Sequence, residues 1–271
     1  MALLELKDQY VTVNGQRIRY LESGVREAGV GRPTLILHAL NPRSCAEESL
    51  KSMGAYTEAG CHVFALDMPG WGLSEGPKDG HYRFSLWIES VRGFCDALKL
   101  ERVDIVGRTM GGWLAVLFAH QYPERVGRLV LFNNAGLNPK PPLSYSNLTT
   151  MPELDVLRNA YKDDAVAERV YQRLHQPGKV EAVKALLDYV LDPQVREEWS
   201  LRQRLPEVQT PMLFAMRDSS GEMATQYAIE GFNFAPRSQL FVTKGTGDGD
   251  TAESELEHAA IAFLTAPNAG R

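Results

Sequence analysis

The chain lacks most of the features that would announce a function directly. It has three cysteines, Cys45, Cys61 and Cys95. They are odd in number and not at metal-ligand spacing, so neither a disulfide framework nor a zinc site is expected. Reduced thiols suit an intracellular protein, and a cytoplasmic location is expected. No stretch reaches the roughly 18 consecutive apolar residues of a membrane span. The opening MALLELKDQY carries charge too early for a secretory signal. Positive charge is not in excess: the formal net charge of −5 leaves no basic face for nucleic acid. Internal repeats are absent, and the only biased stretch is a short Gly-Asp-Gly-Asp run at 247–250. Histidine is scarce as well. There are six, and none lies between His175 and His258.

What the chain does have is a regular alternation of short apolar runs and helical patterns over 271 residues. Tyr10–Val13 and Arg17–Leu21 flank Asn14-Gly15, the strongest short hairpin signal. Thr34–His38, His62–Leu66, Val103–Val106, Arg128–Phe132, Met212–Ala215 and Gln239–Val242 read as buried strands of a parallel sheet. Helical patterns cover about 45–59, a stretch begun by Ser85 as cap and running to about Leu98, and about 251–264. Between 137 and 205 the character changes, first to a Pro-rich loop and then to helical patterns only. This gives an expected division into a core of 1–136 and 206–271 and an inserted helical unit of 137–205.

Two stretches carry more than fold. Gly107-Arg108-Thr109-Met110-Gly111-Gly112 turns sharply from a strand into an apolar helix. Asp67-Met68-Pro69-Gly70-Trp71-Gly72-Leu73-Ser74 follows another strand. The turn at 107–112 resembles the G-x-S-x-G elbow of the α/β-hydrolase superfamily with threonine in place of the nucleophilic serine. The stretch at 67–74 is similar to that superfamily's D-x-P-G-x-G-x-S loop, which identifies the family and serves as scaffold. The resemblance implies a mostly parallel eight-stranded sheet flanked by helices, with a small helical cap inserted after the sixth strand to cover the pocket. It calls for no cofactor and no metal.

The superfamily's hydrolytic triad is nucleophile, acid and histidine, in that chain order. Thr109 keeps a hydroxyl, but a β-branched residue at a strained elbow is an outlier and its methyl crowds an attacking trajectory. Thr109 is therefore read either as nucleophile or, preferably, as a pocket hydroxyl. The acid is expected after Met212–Ala215, where alignment puts Ser219 in place and Asp218 one residue early. The alternative acid position after Phe132 holds Asn133 and Asn134. The histidine is expected after Gln239–Val242. There Asp248 takes its place, with Thr246 or Asp250 as other registers, and His258 reads as a solvated helix residue. His38-Ala39-Leu40-Asn41-Pro42 is similar to the H-G-x-x-P oxyanion loop. By position the oxyanion donors are the backbone N–H groups of Leu40 and Met110. His38 reads as a structural hydrogen-bonder, and Arg108 as a carboxylate or phenolate binder or a support of the elbow. Asp248 is either a turn residue or, if buried, an acid–base group of raised pKa.

With all three triad positions changed, ordinary ester hydrolysis is expected to be very slow, since general acid–base assistance is worth about 10²–10⁴-fold. Three readings follow, in order. The first is a cofactor-free lyase, isomerase or cyclase acting on a small apolar carbonyl compound through the retained oxyanion hole. The second is a catalytically dead binder of such a ligand. The third is a slow ester or C–C bond hydrolase with Thr109 as nucleophile. A phosphate-binding role for the elbow is not expected: it fits neither G-x-G-x-x-G nor the G-K-[ST] ending of a P-loop. Asp248, Asp250 and Glu253 resemble a calcium loop in acidity alone.

Overall fold

The structure, a computed structural model, describes residues 7–25, 32–39, 44–139, 151–218, 225–244 and 249–267, without the side chains of 249–253. Its centre is an eight-stranded sheet in the order β1-β2-β4-β3-β5-β6-β7-β8. β1 (Gln9–Val13) and β2 (Gln16–Ser23) form the expected hairpin. Asn14 and Gly15, with φ of 50° and 75°, supply the two positive angles that its tight turn demands. β2 runs antiparallel to β4 (Val63–Leu66), and all later pairings are parallel. These involve β3 (Thr34–Leu37), β5 (Val103–Arg108), β6 (Val126–Phe132), β7 (Met212–Arg217) and β8 (Ser238–Thr243). β3, β4 and β6 are buried at every position, as continuous apolar runs covered on both faces must be.

α1 (Leu50–Glu58), α2 (Phe84–Ala97), α3 (Met110–Gln121), α9 (Thr225–Phe234) and α10 (Gly249–Thr265) flank the sheet. α3 is apolar on all sides and buried from Met110 to Ala119, which makes it an interior helix rather than an amphipathic one. Two helical expectations need correction. α9 has no counterpart among the helices expected from sequence. Ser85 is not the cap of α2: the helix starts at Phe84 after an extended Arg83, with no side-chain cap. The orphan N–H of Phe84 donates instead to the Tyr189 hydroxyl, 3.2 Å away. The partner that satisfies this helix end thus comes from 105 residues further along the chain.

Tyr189 belongs to the insertion between β6 and β7. There α4 (Leu154–Tyr161), α5 (Asp164–Leu174), α6 (Lys179–Leu191), α7 (Pro193–Glu198) and α8 (Leu201–Arg204) form the helical cap. Polar anchors fix its far end to the core. Trp113 Nε1 donates to the Trp199 carbonyl at 2.8 Å, and the Leu201 N–H donates to the Gly136 carbonyl at 3.0 Å. The Phe84 ring packs on Trp113 and Trp199 with centroids 4.7 and 5.4 Å away.

Candidate active site

β3 lies between β4 and β5, so the strand order reverses there. In an open parallel sheet the crevice outside the carboxyl ends of the strands at such a switch point is where ligands bind. The sequence places His38 at the end of β3, Asp67 at the end of β4 and Thr109 at the end of β5.

Thr109 sits at φ 49° and ψ −110°, a conformation that costs a β-branched residue on the order of 1–3 kcal/mol. The backbone around it holds it there. Its N–H donates to the Phe132 carbonyl at 2.9 Å, and its own carbonyl accepts from the N–H groups of Gly112, Trp113 and Ala135 at 3.0–3.2 Å. The flanking glycines are sterically required. A Cβ on Gly107 would lie 2.5 Å from the Gly111 carbonyl oxygen, and one on Gly111 would lie 2.2 Å from the Leu37 carbonyl oxygen. The same closeness sets the end of β3 against the start of α3. The first N–H groups of a helix have no intrahelical acceptor, and Met110 is the first residue of α3. Thr109 is half-buried and its side chain does not cap α3.

His38 is buried and engaged on both ring nitrogens. Nε2 accepts from the Met68 N–H at 3.0 Å, and Nδ1 faces the Ala39 carbonyl. The proton is therefore on Nδ1, and burial lowers the pKa despite the nearby Asp67 and Glu47 carboxylates. A neutral His38 ties the loop after β3 to the loop after β4. Arg108 is committed on the other side of the sheet end. Its Nη2 donates to Ser52 Oγ at 2.9 Å and pairs closely with Glu257 of α10, while its guanidinium lies 4.6 Å over the Phe132 ring. Glu257 also accepts from Ser52 and Tyr56. Of the groups near the acid position, Asn133 Oδ1 accepts from the Arg217 N–H at 3.0 Å. Asp218 is exposed and accepts from Thr225 at 2.6 Å. His258 is exposed on α10. Leu40, Ser219, Thr246 and Asp248 lie outside the described residues, as does the side chain of Asp250.

A cluster of buried charges beside the site has no signature in the sequence. Arg19 of β2 pairs with Asp8, Glu47 and Asp67, and Glu47 pairs also with Arg173 of the cap. Burial pushes the Glu47 carboxyl up, but the hydrogen bonds and charges of Arg19 and Arg173 outweigh it and hold the pKa at about 2. Asp67 accepts from the N–H groups of Ala46 and Leu73 at 2.7 and 2.9 Å, so the first residue of the D-x-P-G loop is a scaffold group. No cluster of three or more metal-ligating side chains occurs among the described residues. None of their helices is long and apolar enough to cross a membrane.

The sequence profile of the alpha/beta hydrolase fold matches residues 31–214. The 2-hydroxymuconate semialdehyde hydrolase of Pseudomonas sp. (strain CF600) is 28% identical over 262 residues, 89% of this chain and 87% of the relative. The 2-hydroxy-6-oxo-2,4-heptadienoate hydrolase of Pseudomonas putida (strain F1) is 28% identical over 193 residues, 66% of this chain and 67% of the relative. Among solved structures, a meta-cleavage product hydrolase from Pseudomonas fluorescens IP01 superposes with a TM-score of 0.77 at 21% identity, covering 94% of this chain and 96% of its own. These relatives overturn the expectation of a lyase, isomerase or cyclase, because those named for an activity are hydrolases. That expectation took the lack of an imidazole between His175 and His258 as grounds to rank hydrolysis last. The strained elbow, the eight-stranded sheet and the matching profile together establish that the chain belongs to the α/β hydrolase fold family.

Proposed function

We propose that the protein is a hydrolase of C–C bonds next to a ketone or aldehyde in small conjugated keto acids, with Thr109 as nucleophile. The observation that carries this reading is the positive φ of Thr109, a strain that a mere pocket hydroxyl has no use for. The names of the relatives supply the substrate class, 2-hydroxy-6-oxo-dienoates and the corresponding semialdehyde.

The chemistry suits a site without an imidazole. Once the 2-hydroxyl has ketonised, the Thr109 hydroxyl adds to the C6 carbonyl and its proton passes to a carboxylate, for which Asp248 at the histidine position is the candidate. The Met110 N–H, with that of Leu40, holds the oxyanion. Collapse re-forms the carbonyl and breaks the C5–C6 bond. The electron pair enters the conjugated 2-oxo acid as a dienolate, which takes the proton back. Water then releases the acyl group from Thr109, and the sum is one substrate and one water giving a carboxylic acid and a 2-hydroxydienoate. In this reading 137–205 is the substrate-selecting cap unit over the core of 1–136 and 206–271. Ser219, His38 and Arg108 act as supports of the pocket rather than as acid or base.

The test is turnover of 2-hydroxymuconate semialdehyde, followed as loss of its conjugated absorbance and release of formate. The full chain, Thr109→Ala and Thr109→Ser are compared, with rapid-quench mass spectrometry of the Thr109 peptide. Turnover with an acyl mass on Thr109, lost in Thr109→Ala and kept or raised in Thr109→Ser, is expected. Turnover surviving in Thr109→Ala would rule out the nucleophile, and no turnover by the wild-type chain would rule out the activity.

A further inference from the structure

Between cap and core lies a cavity of about 20 Å³ that does not touch Thr109. That space exceeds the minimum for one water and admits a guest of a few heavy atoms, but not a six-carbon keto acid. Its walls are mixed. Trp71, Val170, Leu174 and Val183 give apolar surface, while Ser44, Arg173 and Lys179 give donors.

Among the described residues, one of these donors has no hydrogen-bond partner and another makes no ion pair. Ser44 is 1% exposed, and its hydroxyl has no hydrogen-bond partner among the described residues. Leaving a buried hydroxyl unpaired costs about 1–3 kcal/mol. Lys179, at the start of α6, places its ammonium 3.3 Å from the carbonyl oxygens of Gly70 and Gly72 and makes no ion pair among the described residues. The acid whose charge acts on it, Asp67, is already taken by Arg19 and by the N–H groups of Ala46 and Leu73. Arg173 adds a second cation, held by Glu47. Burial lowers the Lys179 pKa, and Arg173 lowers it further against the pull of Asp67. An anion in the cavity would reverse both effects.

We propose that this cavity binds the carboxylate of a formate- or acetate-sized acid, bridging Ser44 of the core to Arg173 and Lys179 of the cap. A carboxylate fits better than a spherical anion because its two oxygens offer about four acceptor sites to donors on opposite walls. The apolar surface takes the C–H or methyl end. Carboxylate binding here is independent of whether the chain is a C–C hydrolase, because it uses a separate cavity.

The experiment is thermal unfolding of the full chain in sodium formate at constant ionic strength, balanced with sodium gluconate, a carboxylate too bulky to enter. The Tm is expected to rise saturably with formate, by about 5 °C at a hundredfold excess over Kd. Ser44→Ala and Lys179→Met should raise the half-saturating concentration at least tenfold. Ala182→Leu, which fills the cavity and leaves every charge in place, should abolish the response. A rise equal in Ala182→Leu and wild type, or no rise at all in wild type, would overturn the site. A chloride response as large as that to formate would overturn its assignment to carboxylates.

Discussion

Replacing Thr109 by glycine should stabilise the protein relative to alanine, the reverse of the usual order. At an ordinary position glycine is the worse residue, by roughly 0.5–1 kcal/mol, because it loses more backbone freedom on folding. At φ 49° the sign changes. Any Cβ in the left-handed region costs about 1–2 kcal/mol, and alanine keeps that cost while glycine does not. Side-chain contacts matter little in the comparison, because neither residue has any beyond one methyl. The backbone bonds from Phe132, Gly112, Trp113 and Ala135 hold the conformation in both variants, so neither can relax away. Subtracting the entropy from the strain leaves Thr109→Gly more stable than Thr109→Ala by about 0.5–1 kcal/mol, or ~2 °C in Tm for a chain of this size. Urea denaturation of the two variants, with equal m-values as the check on two-state behaviour, measures the difference. Thr109→Gly unfolding at lower urea than Thr109→Ala would refute the strained elbow and with it the case for a nucleophile.

Glu47→Gln should cost about 3–5 kcal/mol at pH 7, since it leaves two buried arginines short of a carboxylate; chemical denaturation reads it directly. The Glu47 pKa falls from 4.5 unfolded to about 2 folded, so its contribution is full above pH 4.5 and is lost as the pH drops towards 2. Wild type should therefore lose about 3 kcal/mol more than Glu47→Gln across that window. His38, buried with its pKa lowered, should be mostly neutral by NMR at pH 6.5, where a free imidazole is half protonated. His38→Leu should destabilise by about 1–3 kcal/mol through the orphaned Met68 N–H.

The strands were legible because each is a short run rich in apolar residues; β3, β4 and β6 are buried on both faces, while the edge strands β1 and β8 keep half-buried and exposed positions. Their predicted bounds differ from the structure by no more than two residues at either end. The elbow was legible because glycine is forced at 107 and 111 by backbone contact, which leaves a fixed spacing in the sequence. The buried charges were not legible. Arg19 meets Glu47 across 28 residues, and Glu47 meets Arg173 across 126. Nothing local distinguishes these residues from solvated ones, so a cap–core bridge reads as surface charge. α2 shows the same limit on a smaller scale: its start is set by the distant Tyr189 hydroxyl, not by the nearby Ser85. The functional expectation failed for a different reason. It judged the site by the histidine it lacks and carried the slowing expected for ester hydrolysis over to every substrate, whereas the size of that slowing depends on which bond is to be broken.

This dependence gives a last prediction. In ester hydrolysis an imidazole acts twice, taking the nucleophile's proton and giving one to the leaving alkoxide. A carboxyl that serves Thr109 and does not reach the leaving oxygen lets an alkoxide depart unprotonated, and general acid assistance worth about 10²–10⁴-fold is then missing. A phenolate needs that assistance far less, and a dienolate, with its charge spread into a 2-oxo acid, needs it least of all at the reacting carbon. Rates should therefore fall steeply with leaving-group basicity: the protein should hydrolyse an aryl acetate at least 10²-fold faster, in kcat/KM, than the matching alkyl acetate, beyond their difference in uncatalysed rate. If the two substrates differ by no more than their uncatalysed rates, a proton donor is present at the leaving group. The carboxyl that takes the Thr109 proton would then have to reach the leaving oxygen as well, as an imidazole does.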